Sequence, residues 1–173
     1  MENELTYEGD AFILFRDYKF QEPRSHAFRW VTVKHLRFPA ESDGDEELLA
    51  ALIGHEQFRD DYAGGGVLPD GLRHGPYWLR MVTPHAYEAV GREDSARILR
   101  EWADQYGDVP AELAADLQRE VFGRLAEADR IYHLPELGGG ALHDWGGVHG
   151  EFHEFVLIDR LAGRLTLLVA ADD

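Results

Sequence analysis

The clearest structural signal in the chain is the segment FHEFVLIDRLAGRLTLLVA, residues 152–170. Two runs dense in aliphatic and aromatic residues, 152–159 and 164–170, flank a short spacer that contains Gly163. Strand-like runs joined by a short glycine-containing spacer are typical of a β-hairpin. The segment therefore predicts a C-terminal β-hairpin.

Upstream of this hairpin, strand-like and helix-like patterns follow each other along the chain. Runs of β-branched and aromatic residues predict further strands at 11–15, 28–38, 76–82 and 130–134. Apolar residues spaced three and four apart predict helices at about 46–59, 95–106 and 110–125. Thr83 and Pro84 predict the start of a short fourth helix that ends at Gly91.

The length and composition of the chain favour one folded unit. A domain near 173 residues buries about 70% of the surface that its unfolded chain exposes, which is enough for a core. Apolar residues make up 45% of the chain and aromatic residues 12%, whereas disordered chains are poor in both. We therefore expect a single α+β domain over residues 1–173, with a mainly antiparallel sheet, about four helices and the C-terminal β-hairpin.

The composition also excludes several classes of site and points to a compartment. The chain has no cysteine, so disulfides, thiolate zinc sites and cysteine nucleophiles are excluded. Its first ten residues, MENELTYEGD, are acidic and polar where a secretory signal needs a basic start and an apolar run. No segment approaches the ~18 apolar residues of a membrane span. These features predict a cytoplasmic protein that does not enter a membrane.

The charge of the chain bears on its partners. The formal net charge is −16, from 33 acidic and 17 basic side chains. Without a basic stripe to meet phosphates, direct binding to nucleic acid is not expected. An acidic surface attracts a basic protein partner, although it also serves simply to keep a protein soluble.

Histidines are concentrated just before and within the hairpin. The stretch HDWGGVHGEFHEFVLIDR, residues 143–160, holds His143, His149 and His153 in its first eleven positions. If 148–159 is extended, His149, Glu151 and His153 project from the same face, because side chains alternate along a strand. A histidine beside a carboxylate is an ordinary general acid–base pair. These three residues are therefore the predicted catalytic group.

The same stretch raises the question of a metal site. In a regular strand His149 and His153 lie about 13 Å apart, too far to share an ion that binds imidazole nitrogen at about 2.0–2.1 Å. Any metal site must recruit distant ligands, and the nearest suppliers in sequence are His143, Asp144 and His133. The predicted metal ligands are His143, Glu151, His153 and His133.

A set of two histidines and a carboxylate suits zinc or non-haem iron, and manganese is a third possibility. The chain contains no HExxH motif and no HxH pair. Two alternatives need no metal: an acid–base pair, or histidines that are simply hydrogen-bonded near the start of a strand.

The end of the chain resembles a group of bacterial proteins. In residues 152–173, FHEFVLIDRLAGRLTLLVAADD, a Phe-His-Glu strand, an Asp-Arg turn and an Asp-Asp terminus follow each other. This segment resembles the ends of small proteins from actinomycetes to which we attach no activity. The resemblance covers this last segment alone, and it implies no catalytic residue and no cofactor.

Two classes of function remain open from the sequence. The chain lacks a cysteine nucleophile, and its serines, Ser25, Ser42 and Ser95, do not lie in a G-x-S-x-G motif. We therefore expect an accessory or regulatory binding protein that recognises a protein or a small ligand. The alternative is an enzyme with a His/Glu acid–base site, or a metal site, around residues 143–154.

Overall fold

The computed structural model describes residues 5–20, 28–39, 44–63 and 66–172, and it shows an α+β fold. The strands are β1 Thr6–Leu14, β2 Arg29–Arg37, β3 Arg73–His74, β4 Tyr77–Trp78, β5 Glu88–Val90, β6 Arg130–Leu134, β7 Glu151–Asp159 and β8 Arg164–Asp172. The helices are α1 Asp45–Ile53, α2 Arg92–Ala103 and α3, which begins as Ala111–Leu117, passes through a π turn at Gln118–Phe122 and continues over Gly123–Glu127.

Six strands form one antiparallel sheet in the order β1-β2-β8-β7-β6-β5. β3 and β4 form a separate two-stranded ribbon. β7 and β8 pair over their full lengths, from Glu151 opposite Asp172 to Asp159 opposite Arg164. Both strands reach beyond the limits predicted from sequence, which were 152–159 and 164–170.

Both faces of the central strands are buried, which explains why their sequences are so apolar. On one face, Leu36, Val156 and Leu167 pack with α1 and with the segment that follows it; we call this the α1 face. On the other, Val33 and Leu168 pack against α2 and α3, and we call it the α2–α3 face. Because side chains alternate along a strand, neighbouring residues of β7 and β8 serve opposite cores.

The region between Pro76 and Gly91 differs from the prediction. The predicted short helix is wrong, because Pro84–Ala86 forms a single 3₁₀ turn and Glu88–Val90 forms strand β5. Pairing of β5 with β6 gives hydrogen-bond partners to backbone groups that a short isolated helix would leave unpaired. It therefore outweighs the helix-start pattern of Thr83 and Pro84. The predicted strand 76–82 is reduced to Tyr77–Trp78 followed by a 3₁₀ turn.

The first helix is also shorter than predicted. It ends at Ile53, and Gly54 caps it before a 3₁₀ turn at Glu56–Phe58. The described residues thus contain three helices where the sequence suggested four. None of these helices is both long and apolar enough to cross a bilayer.

Candidate functional site

A cavity of about 500 Å³ lies on the α1 face beside strands β1 and β2. Its floor consists of cross-strand pairs: Asp10 lies opposite Lys34, Phe12 opposite Thr32 and Leu14 opposite Trp30. These residues share one face because each strand contributes every second side chain to it. The facing wall comes from the segment after α1 and carries Gln57, Asp60, Tyr62 and Val67.

Aromatic side chains form much of the cavity. The Trp30 ring stacks on Tyr62 with centroids 5.4 Å apart, and Phe12 lies 6.3 Å from Trp30. Phe12 is 60% exposed and Phe28 is 64% exposed. Large aromatic side chains left in solvent at the rim of a concave, largely apolar surface are a feature of binding sites.

A buried ion pair lies among these aromatic rings. The Lys34 ammonium, almost fully buried, donates to Asp60 Oδ2 at 2.9 Å and to the carbonyl of Gln57 at 2.8 Å. Asp60 Oδ1 accepts the backbone N–H of Tyr62 at 2.9 Å, and the ammonium lies 4.9 Å from the Tyr62 ring centroid. The cavity floor therefore contains a charged pair that is neutral overall.

Tyr62 has an unusual backbone conformation for its residue type. Its φ is +56°, in the left-handed region that residues with a side chain seldom adopt. Its hydroxyl is buried and has no hydrogen-bond partner within the described ranges. Burial, followed by the nearby charges of Asp60 and Glu154, raises the pKa of this hydroxyl well above 10. Strained residues of this kind concentrate where ligands are held.

A second polar cluster lies deeper on the α1 face, where His74, Glu154 and Tyr87 meet. Glu154 and His74 are completely buried, and the carboxylate contacts His74 Nε2 and accepts the Tyr87 hydroxyl. Burial and the Glu154 charge raise the pKa of Tyr87 well above 10. The His74 ring lies parallel to Phe58 at 3.5 Å and edge-on to Tyr62 at 6.2 Å, which connects this cluster to the cavity wall.

Hydrogen-bond partners define how His74 and Glu154 share a proton. His74 Nδ1 lies 2.6 Å from the carbonyl of Phe58, which can only accept, so this nitrogen carries hydrogen. A further proton then lies between Nε2 and the Glu154 carboxyl. Whichever atom holds it, the pair is neutral as a whole, as a completely buried pair must be to avoid a large desolvation cost.

The structure separates His149 from the two residues with which it was predicted to act. β7 begins only at Glu151, and Gly146–Val148 forms a 3₁₀ turn, so the extended stretch assumed from 148 onward does not exist. His149 Nε2 donates to the carbonyl of Asp61 at 3.0 Å, and its ring packs near Trp30 and Phe152 on the α1 face.

Glu151 and His153 do come together. His153 Nε2 lies 3.1 Å from Glu151 Oε1, and the His153 ring is 6.4 Å from Trp102 on the α2–α3 face. His133 stacks on Phe155 at 4.8 Å on the same face. Burial, followed by the charge of His153, lowers the pKa of His133 below 6.5.

His143 has a structural role elsewhere. Its Nε2 donates to the carbonyl of Gly75 at 2.6 Å, and its Nδ1 accepts the backbone N–H of Trp145 at 2.9 Å. Both ring nitrogens are thus occupied by the backbone. The predicted ligand set is divided, because His143 binds the backbone of the β3–β4 ribbon while His133, Glu151 and His153 lie on the α2–α3 face. No group of three or more His, Asp or Glu side chains in the described part of the chain is placed to hold a metal ion.

The glycine-rich loop before β7 packs closely against the β3–β4 ribbon. A Cβ atom on Gly146 would lie 2.4 Å from the Pro76 carbonyl oxygen, whereas one on the adjacent Gly147 would meet no atom within 4 Å. The loop is thereby held against the turn that carries Pro76, and the His143 bond to Gly75 strengthens the same contact.

This contact makes a testable difference between two adjacent glycines. Gly146→Ala should lower the free energy of unfolding by about 1–3 kcal/mol, because the new methyl group must displace backbone. Gly147→Ala should change it by less than about 0.5 kcal/mol. Urea unfolding of both variants measures the difference, and equal effects would contradict the close packing at Gly146.

The cavity residues and the buried cluster were not identified from sequence. Lys34 and Asp60 are 26 positions apart, and His74 and Glu154 are 80 apart, so no local spacing links them. One signal was available: Glu154 interrupts the apolar run of a strand with both faces buried, and a charge there requires a partner.

The fold and the cavity define this chain as an α+β protein with an aromatic pocket over a buried Lys–Asp pair. No protein-family model matches the chain, and no curated protein does. Among solved structures, two crystal forms of citrus MAF1 are similar over 91% of this chain and 94% and 93% of theirs, with 14% and 12% identity and TM-scores of 0.38 and 0.40. Likeness at this level carries no argument about function.

Proposed function

We propose that the protein is a small-ligand binding protein whose ligand contains an aromatic ring and occupies the cavity between β1–β2 and the wall that carries Asp60 and Tyr62. The observation that carries the proposal is the combination of aromatic walls with a buried, neutral Lys34–Asp60 pair at the floor. A volume of about 500 Å³ falls within the usual range for small-molecule sites. A protein that binds a small ligand in this way would act as an accessory or regulatory protein.

The exposed phenylalanines supply a direct test. Replacing Phe12 or Phe28 should change the stability of the free protein little, because both side chains are already more than half exposed to solvent. In a complex they would cover the ligand, where burying one aromatic side chain contributes about 1.5–3 kcal/mol.

We expect 1-fluoronaphthalene to bind the wild-type chain and to bind the double variant Phe12→Ser/Phe28→Ser at least about tenfold more weakly. Titration followed by ¹⁹F NMR measures both affinities. The control is Trp145→Ser, which removes an aromatic ring that is 58% exposed and does not line this cavity. Failure of the probe to bind the wild-type chain, or equal binding by the double variant, would contradict the proposal.

A second candidate function is acid–base catalysis at Glu151 and His153. The observation that favours it is their 3.1 Å contact, with side chains 36% and 22% exposed. Glu151 also lines a second cavity of about 250 Å³ under the glycine-rich loop. In this arrangement the carboxylate orients the imidazole through Nε2, which leaves Nδ1 to exchange a proton with a substrate.

Under this second candidate, His153→Ala abolishes turnover of a metabolite without unfolding the protein. The pair is partly exposed, so its loss should cost at most about 1 kcal/mol. Incubation of wild-type and variant protein with a metabolite extract, followed by mass spectrometry, compares turnover, while thermal unfolding checks the fold. Identical metabolite profiles would reject the enzyme and leave the binding protein.

The proposal also includes the setting of the protein. We place it in the cytoplasm, and its net charge of −16 supports a basic protein partner in addition to the small ligand. Attraction of this kind is screened beyond a Debye length of about 8 Å at physiological ionic strength, so such a complex should dissociate as salt rises.

A further inference from the structure

The floor of the aromatic cavity contains hydrogen-bonding groups that the protein itself does not use. Thr32 lies between Trp30 and Lys34 on the α1 face of β2 and is 7% exposed. Thr32 lines the cavity, and its hydroxyl makes no hydrogen bond to a described residue and is not sealed from solvent, so it can bond to a ligand there.

Lys34 also has a hydrogen-bond donor that the described protein groups do not use. An ammonium group has three hydrogens to donate. The carbonyl of Gln57 and the carboxylate of Asp60 accept two of them. With the third, and with the hydroxyl of Thr32, the floor offers more donors than the described protein groups accept.

Two acidic side chains, Asp10 and Asp60, and two basic ones, Arg16 and Lys34, line the cavity, so its charges sum to zero, and this balance limits which ligand can use the donors. A carboxylate ligand would be placed beside Asp60, which already neutralises Lys34 at 2.9 Å. A cationic ligand would be placed beside the ammonium group. A neutral ligand with acceptor atoms suffers neither repulsion and satisfies the donors.

The spacing of the donors agrees with a planar ring. Thr32 and Lys34 are two positions apart in a strand, so their side chains leave the sheet about 7 Å apart. That distance is comparable to the edge of a fused two-ring system. Phe12, opposite Thr32, and Phe28 supply aromatic surface at the cavity rim.

We infer that the ligand is an uncharged planar heteroaromatic compound that presents a ring carbonyl or ring nitrogen acceptor to the donors of Thr32 and Lys34. The inference rests on the proposed binding function and narrows it to one chemical class. The aromatic side chains pack against the faces of the ring, and the donors of the floor bond to its acceptor atom. A site with polar groups that need a partner discriminates against ligands that cannot pair with them.

Four probes on the same bicyclic frame test this inference on the whole chain: isoquinolin-1-one, naphthalene, 1-naphthoate and 1-naphthylmethylammonium. We expect the neutral lactam isoquinolin-1-one to bind at least about tenfold more tightly than each of the other three. NMR titration of the ¹⁵N-labelled indole groups, with the Trp30 signal assigned by a Trp30→Phe variant, measures each affinity.

A matched pair of variants locates the effect. Thr32→Val keeps the β-branched shape but removes the hydroxyl, so the lactam should lose about tenfold in affinity while naphthalene is unchanged. Thr166→Val makes the same substitution on the opposite face of the sheet, where Thr166 contacts His35, and should alter neither.

The possible failures are distinguishable. If naphthalene binds in the cavity and the lactam binds no more tightly, or if 1-naphthoate binds most tightly, the inference is overturned and the proposed binding function stands. If no probe moves the Trp30 signal, both are overturned.

Discussion

Replacing Glu154 with alanine should lower the free energy of unfolding by about 3–5 kcal/mol, because it removes one member of a completely buried pair and leaves the other without a partner. His74 would keep its bond to the carbonyl of Phe58 but lose its carboxylate, and the buried Tyr87 hydroxyl would lose its acceptor. Chemical unfolding of the purified variant measures the loss.

Two further variants separate the pair from a general loss of packing. Glu151→Ala, three positions away in β7, removes a carboxylate that is 36% exposed and should cost less than about 1 kcal/mol. His74→Leu/Glu154→Leu replaces both partners by apolar groups and should recover much of the stability lost in the single variant. A Glu154→Ala variant as stable as Glu151→Ala would show that the buried contact contributes little.

Arg29→Met should also lower the free energy of unfolding by about 3–5 kcal/mol, because Arg29 is a buried cation at the start of β2 whose loss would leave its partner Asp172 unpaired. Its Nε donates to Asp172 at 3.0 Å, and its guanidinium contacts the carbonyls of Trp102 and Ala103 at the end of α2. It lies 4.2 Å from the centroid of the Trp102 ring. One side chain thus ties the last residues of β8 to the C-terminal end of α2, where carbonyls favour a cation.

The matched control for Arg29 is in the same strand. Arg37→Met removes a charge from the exposed end of β2 and should change the free energy of unfolding by less than about 0.5 kcal/mol. Denaturant unfolding of both variants under one set of conditions makes the comparison. A loss below about 1 kcal/mol for Arg29→Met would contradict this prediction, because it would mean that the charge of Arg29 contributes little to stability.

Glu154 and Arg29 lie on opposite faces of the sheet and pack in different cores. Glu154 holds the wall segment near Tyr62, so its loss should also weaken ligand binding in the cavity. Arg29 acts on the α2–α3 face and should leave the binding of naphthalene unchanged wherever the variant remains folded. Ligand titration of both variants below their unfolding transitions distinguishes a supporting role from overall stability.

The α+β class and the main strands follow from local patterns in the chain. The two apolar runs on either side of Gly163 indicate paired strands, and the apolar stripe of 110–125 indicates a helix. Both predictions rest on the spacing of apolar side chains within one short segment of the chain. The same local reading placed Glu151 and His153 together, as alternate residues of one strand. It failed between Pro84 and Gly91, because pairing with β6, whose residues lie 41 to 45 positions further along the chain than their partners in β5, decides that segment.

The candidate site depends on contacts that no local pattern contains. Lys34 meets Asp60 only because the segment after α1 folds back over β2, and Glu154 meets His74 only because the β3–β4 ribbon packs against β7. His149 lies on the α1 face because a 3₁₀ turn, and not a strand, precedes Glu151. The sequence by itself therefore determined most of the strands and helices, whereas the tertiary structure decided the segment between Pro76 and Gly91 and which polar groups are buried together, since burial and pairing depend on how distant segments pack.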